Sequence, residues 1–340
     1  MKQEDQLKHA NYFTTNIECD QMNTADSVAN KILLKIYGGI GDVLMCLPII
    51  RKLSELHIVD IALRNADNSD IGEWTEEIIQ YNPYVNNVYT WNYWTTHLSE
   101  LRVYRKVVVY NPFPYDQEMF YAQPVHRIDL AAELMGVTDC KPHDINVHLT
   151  NDENVWAYNK LELIKNPVVI QPTVLRDPWP NNQGKQIPLE IYPRLFKDFP
   201  ELTFIGIGTT KGNNGDGMDL GEWDNYIPFM DQTTIRQAIS LLKWSKFHII
   251  PDSFLGHASA GYNKKGIVIF GSTSPQVFGY ENNYNLWYAP PCAPCRIQSE
   301  PTEWHQECCI KDGIPVEYDN LKRNIKKLIA EELSGVLDLE

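Results

Sequence analysis

Two aspartates stand where a predicted strand gives way to a predicted helix, and these are the places in the sequence best suited to chemistry. The first follows the run Lys31–Tyr37 (KILLKIY), where the turn Gly38-Gly39-Ile40-Gly41 delivers Asp42 to the start of an apolar-periodic helix. The helix dipole favours a negative charge there, and a carboxylate at the carboxyl edge of a parallel sheet can accept a proton as a general base. The plainer alternative is an acid that only caps the first turn. The second aspartate, Asp252, follows the short apolar strand Phe247–Pro251 and precedes Ser253. Both are good N-cap residues for the short helix Leu255–Tyr262, which is rich in Gly, Ala and Ser. One strand later, after Gly266–Phe270, comes Gly271-Ser272-Thr273-Ser274. Small hydroxyl residues and free N–H groups beyond a strand's carboxyl end suit a phosphate or diphosphate; an ordinary βαβ unit without a ligand is the competing reading.

A third feature is a late cysteine cluster, Cys292 and Cys295 in a CxxC turn, then His305, Cys308 and Cys309. Four cysteines, or three with a histidine, can hold a tetrahedral structural zinc or iron. Adjacent Cys308 and Cys309 do not easily bind one ion together, which favours Cys292, Cys295, His305 and one of that pair. Reduced thiols are the alternative, and a catalytic metal is not expected there. Cys19, Cys46 and Cys140 are scattered singly, so the seven cysteines do not form a secreted disulfide framework.

These residues need elements to hold them. A chain of 340 residues is long enough for two domains, each with its own core. The net charge of −14 argues against affinity built on nucleic-acid phosphates; Arg102, Arg105 and Lys106 read as a solvated charged face. Neither a transmembrane length nor a signal-peptide core is present, so a cytoplasmic protein is expected. Residues 1–29 read as a polar extension. Residues 30–150 alternate strands (31–37, 57–63, 88–89, 105–110) with helices (from 43, 74–81, 126–136), an open and mostly parallel α/β domain. Residues 151–166 read as a helical linker, with a second α/β domain over 167–314. A closing helix, within 315–340, is expected to cross back onto the first domain. The helix 233–244 is expected to be capped by Asp231 or Thr233. Two such halves facing each other imply a cleft.

Two separated pieces, GIGDVLMCLPIIRKL and DSFLGHASAGYNKKGIVIFGSTSPQVFG, resemble glycosyltransferase family 9, the bacterial heptosyltransferase family. GKQIPLEIYPRL resembles that family's K-x-W-P segment, and HRIDLAAELMG its middle-region helix; together they span about residues 31–310. The resemblance implies a GT-B fold of two Rossmann-like domains, with the acceptor mainly on the first and a nucleotide-sugar donor on the second. It also implies transfer with inversion and without a catalytic metal or other cofactor. Asp42 then matches the family's base, in a loop with Gly39 and Gly41. Lys185 matches a lysine that neutralises donor phosphates. Asp252 and Ser253 match the donor-sugar or phosphate loop, His257 the block's histidine, and Gly271, Ser272 and Thr273 the turn by the diphosphate. Family members also carry similar late cysteines, in some relatives as a metal-bound finger.

The sequence departs from the family at Phe254, where the family has glycine, and at Ile187, where it has tryptophan. The glycine-rich loop Lys211–Gly221 reads equally as a donor-recognition loop and as a plain surface loop. The acceptor expected by default is a saccharide or glycolipid, with protein or a modified DNA base as alternatives. A non-hydrolysing nucleotide-sugar epimerase and a sugar-nucleotide-binding protein with a decayed site are the rival readings.

Overall fold

The computed structural model describes residues 30–64, 71–90, 103–110, 125–172, 185–209, 220–290, 293 and 313–333. The chain divides into two compact units, residues 1–148 and 149–340. The extension 1–29, the cysteine cluster and most of the Lys211–Gly221 loop lie outside the described residues.

The first unit is built on a parallel sheet of β1 (Lys31–Tyr37), β2 (Ile58–Arg64), β3 (Asn87–Thr90) and β4 (Lys106–Tyr110), in the order β3-β2-β1-β4. Central β1 pairs Lys31 with Ile58 on one side and Ile32 with Lys106 on the other. Its apolar run follows from that place, since a central parallel strand is covered on both faces. Between β1 and β2 runs α1 (Ile40–Ser54), which buries Val43, Leu44, Leu47, Ile49 and Ile50 and continues through Pro48. The helices α2 (Ile71–Ile79) and α3 (Arg127–Met135) and a 3-10 turn at Pro142–Asp144 complete the described elements of this unit. His126 is the N-cap of α3, its Nδ1 accepting from the Ile128 amide at 3.3 Å. Sequence periodicity does not reveal the charged residue inside β2. Asp60 is fully buried, and it is tolerated because Lys31 (2.8 Å), Tyr104 (2.7 Å) and Asn86 (2.8 Å) all donate to it.

The second unit carries β5 (Pro167–Ile170), β6 (Thr203–Gly206), β7 (Tyr226–Pro228), β8 (Phe247–Pro251), β9 (Gly266–Phe270) and β10 (Asn283–Trp287). They form one parallel sheet in the order β10-β9-β8-β5-β6-β7. Its helices are α4 (Asn151–Leu161), α5 (Ile191–Asp198), α6 (Ile235–Trp244), α7 (Phe254–Gly261), the single turn α8 (Pro275–Phe278) and α9 (Tyr318–Leu333). Edge strands β7 and β10 are short and mostly half-exposed, so they carry none of the apolar runs that announce β5, β8 and β9.

One expectation changes here, the cap of α6. The stretch read as a helical linker begins with α4, capped by Thr150 and Glu153 and docked onto α6. Buried Arg236 gives Glu153 a two-pronged ion pair, Nε at 2.6 Å and Nη2 at 2.8 Å, and Ser240 Oγ donates to the Glu153 carbonyl. The cap of α6 is Thr234, reciprocated by Gln237, rather than Asp231 or Thr233. The closing helix α9 places Tyr318, Leu321, Ile325 and Leu328 in the core of its own unit, with Phe204, Ile267 and Ile269.

Candidate donor and base sites

In the first unit the glycine turn is shaped around Asp42. Gly39 is the N-cap of α1, and its amide donates to Asp42 Oδ2 at 2.9 Å. Gly38 has φ +145°, where a side chain is strained, and a Cβ there would overlap the Asp42 carboxylate. Gly41 lies in the first turn of the helix. Asp42 is half-buried. The capping role is therefore real, but it occupies only part of the carboxylate, which has about four lone-pair sites.

In the second unit the topology does the assembling. β8 lies between β5 and β9, so the residues following all three strands meet at one sheet edge. Asp252 follows β8 and is buried; its Oδ2 accepts from Lys185 Nζ at 2.7 Å and from Thr273 Oγ1 at 2.6 Å. Burial alone would raise this carboxyl. The charge of Lys185 and the hydrogen bonds from Lys185 and Thr273 outweigh burial and hold Asp252 below the ordinary carboxylate range. Ser253 is the N-cap of α7, yet its hydroxyl does not cap the helix; it donates to Gln171 Oε1, just beyond β5, at 2.6 Å. Neither Asp252 nor Ser253 thus performs the side-chain capping expected of it, because longer-range partners claim both.

His257, in α7, is buried, with Nδ1 2.6 Å from the Tyr280 hydroxyl and its ring edge-on to Phe278 and Tyr280. Lys185 Nζ lies 5.7 Å from the centre of the Phe278 ring. Ser272 and Thr273 are buried, and the Gly271 carbonyl accepts from Trp287 Nε1 at 3.0 Å. Lys185, Asp252, Ser253, His257 and Thr273 are thereby gathered with Gln171, Phe278 and Tyr280, three residues that sequence reasoning missed. The usable signal for Gln171 was its place directly after an apolar strand. Tyr280 had none, since its partner is 23 residues away.

The two departures from the family pattern have different consequences. Ile187 is buried in the core of the second unit, so an apolar residue is retained. Phe254 opens α7 half-buried and adds bulk where the family has none. Among the described residues no group of three or more His, Cys, Asp or Glu could hold a metal ion. Cys46 and Cys140 are buried free thiols; burial pushes both up, away from the reactive thiolate.

No protein-family model matches this sequence, and no curated protein does. Solved structures do. A glycosyl transferase of family 9 from Veillonella parvula aligns with TM-score 0.64 over 91% of this chain and 100% of its own, at 12% identity. The heptosyltransferase WaaC of E. coli, solved with ADP, aligns with TM-score 0.53 over 87% and 99%, at 13% identity. The fold is that of the family 9 glycosyltransferases. It is an α/β fold of the GT-B class, with one parallel sheet in each unit. TibC, an iron-containing dodecameric glycosyltransferase of enterotoxigenic E. coli, shares this family 9 fold with TM-score 0.52 over 89% and 77%, at 13% identity. No helix among the described residues is long and apolar enough to cross a membrane.

Proposed function

We propose that this protein is an inverting, cytoplasmic glycosyltransferase that moves a sugar from a nucleotide-diphosphate donor to the hydroxyl of a saccharide or glycolipid. The observation that carries the reading is the buried Asp252 carboxylate held by Lys185 and Thr273 beside the N-terminus of α7, in a family 9 fold. In the proposed reaction the acceptor oxygen attacks the anomeric carbon. The bond from that carbon to the diphosphate oxygen breaks, and its electron pair leaves with the nucleoside diphosphate. Lys185, the N–H groups opening α7 and the hydroxyl turn Ser272-Thr273 stabilise the charge that grows on the leaving group. The acceptor's proton passes to Asp42, on a lone pair that Gly39 does not use. No metal takes part in these steps. A structural zinc or iron at Cys292, Cys295, His305 and Cys308 or Cys309 is a separate proposal, tested by elemental analysis of the purified protein before and after chelation. Two units bounded near residue 149, acceptor on the first and donor on the second, complete the reading.

Thermal unfolding with a panel of nucleoside diphosphates tests it, ADP first because WaaC was solved with ADP. A ligand present at 100 times its Kd stabilises by about 2.7 kcal/mol. A shift with one nucleotide, abolished in Lys185→Ala, supports the donor site. No shift with any of them at millimolar concentration sinks it.

A further inference from the structure

Of the aromatic pair around His257, Phe278 lies in the stretch that resembles the family and Tyr280 just beyond it, and the geometry of the pair is specific. The single turn α8 ends at Gly279, where the amide donates to the Pro275 carbonyl at 2.8 Å. A Cβ on Gly279 would lie 2.5 Å from that carbonyl oxygen, so the tight exit requires glycine. Because the chain turns so sharply there, residues on both sides of Gly279 reach the same imidazole. The Phe278 ring is 6.3 Å from His257 at 65°, and the Tyr280 ring 5.6 Å at 84°. Phe278 also lies under Lys185, which holds Asp252. The turn thus touches both arms of the cluster.

The Tyr280 hydroxyl and His257 Nδ1 lie 2.6 Å apart, at hydrogen-bond distance, and which of the two donates depends on the imidazole tautomer. Both residues are buried, so water does not compete for the pair. Burial first, and then the negative charge of Asp252, push the Tyr280 phenol well up, so it keeps its proton and remains a donor. An imidazole that accepts at Nδ1 carries its proton on Nε2.

We propose that Tyr280 is a positioning residue of the donor site: its hydroxyl donates to His257 Nδ1 and fixes the Nε2–H tautomer, which makes His257 a hydrogen-bond donor for the nucleotide diphosphate. The role toward the diphosphate rests on the donor-site reading above; the tautomer does not. Two-bond proton–nitrogen correlations on histidine-labelled full-length protein at pH 8 read the tautomer directly, with the His257 signal assigned by its loss in His257→Gln. The expected result is Nε2–H in the wild type and an Nδ1–H population in Tyr280→Phe, which keeps the ring and removes only the hydroxyl. Titration with ADP, UDP, GDP and CDP should show the responding nucleotide bound about five-fold more weakly by Tyr280→Phe, the weight of one hydrogen bond. In a His257→Gln background, whose amide N–H needs no tautomer, the Tyr280→Phe change should no longer alter that affinity; a purely structural tyrosine would weaken both backgrounds alike and overturn the role. Nδ1–H in the wild type, or a tautomer indifferent to Tyr280→Phe, overturns the assignment itself. Nε2–H with no nucleotide bound by the wild type overturns the donor-site reading and the role built on it, and leaves the tautomer standing.

Discussion

Asp42 and Asp252 begin from the same local plan, an acid between a parallel strand and a helix, and end in opposite physical states. Asp42 is half-buried, and its carboxylate accepts from a backbone amide three residues away. Asp252 is buried, with partners 67 and 21 residues distant. The first is a local motif that leaves its carboxylate half-exposed. The second is a buried charge that the fold must neutralise, so removing either partner disturbs stability as well as binding. A catalytic base needs the former condition; a rigid phosphate-side scaffold needs the latter.

The sharpest way to break that contrast is Asp42→Asn. If Asp42 is the base, turnover falls by about 10²- to 10⁴-fold while donor affinity and unfolding midpoint stay near wild type. An unfolding midpoint that collapses in this variant would make Asp42 structural and erase the difference between the two sites. Lys185→Ala, in contrast, should damage both properties. Donor affinity should drop by roughly ten- to a hundred-fold, and stability by about 1–3 kcal/mol from the underpaired Asp252, as read by calorimetry and urea unfolding.

Acid sharpens the comparison further, because β8 and the residue after it carry buried His248 and Asp252, both depressed on folding. Burial, together with the Lys264 ammonium, pushes His248 on β8 down to about 3. Its ordinary value is about 6.5, so the stability tied to its neutral form is complete above pH 6.5 and is lost progressively as pH falls towards 3. Urea unfolding should therefore show about 1 kcal/mol lost between pH 7.5 and 5.5, and His248→Phe should remove that slope. Asp252 adds a separate loss that begins only near its ordinary value, about 4, and deepens below it. The smallest effect expected is that of Thr273→Val, about 1 kcal/mol or less, since Lys185 still pairs Asp252. A change at Thr273 as large as that at Lys185 would move the weight of the site to the hydroxyl turn.

What the sequence determined by itself was local. The run Lys31–Tyr37 and the run Phe247–Pro251 are strands because an unbroken apolar stretch of that length suits a strand buried on both faces. The turn at Gly38–Asp42 is legible because its hydrogen bond closes within three residues. The candidates Lys185, Asp252, Ser253, His257 and Thr273 were also legible, through resemblance, and the structure gathers them in one unit. Tertiary structure decided the rest. Only strand order sets β5 and β9 on either side of β8, so only it could bring Gln171 to Ser253 and Thr273 to Asp252. Side chains that look like caps in sequence became long-range ligands instead, because a buried donor or acceptor takes whichever partner the packed fold supplies. The docking of α4 through Glu153 and Arg236, the burial of α9 in its own unit, and the meeting of Tyr280 with His257 are of the same kind. Each depends on which elements become neighbours, and a linear pattern of residue types carries no record of that.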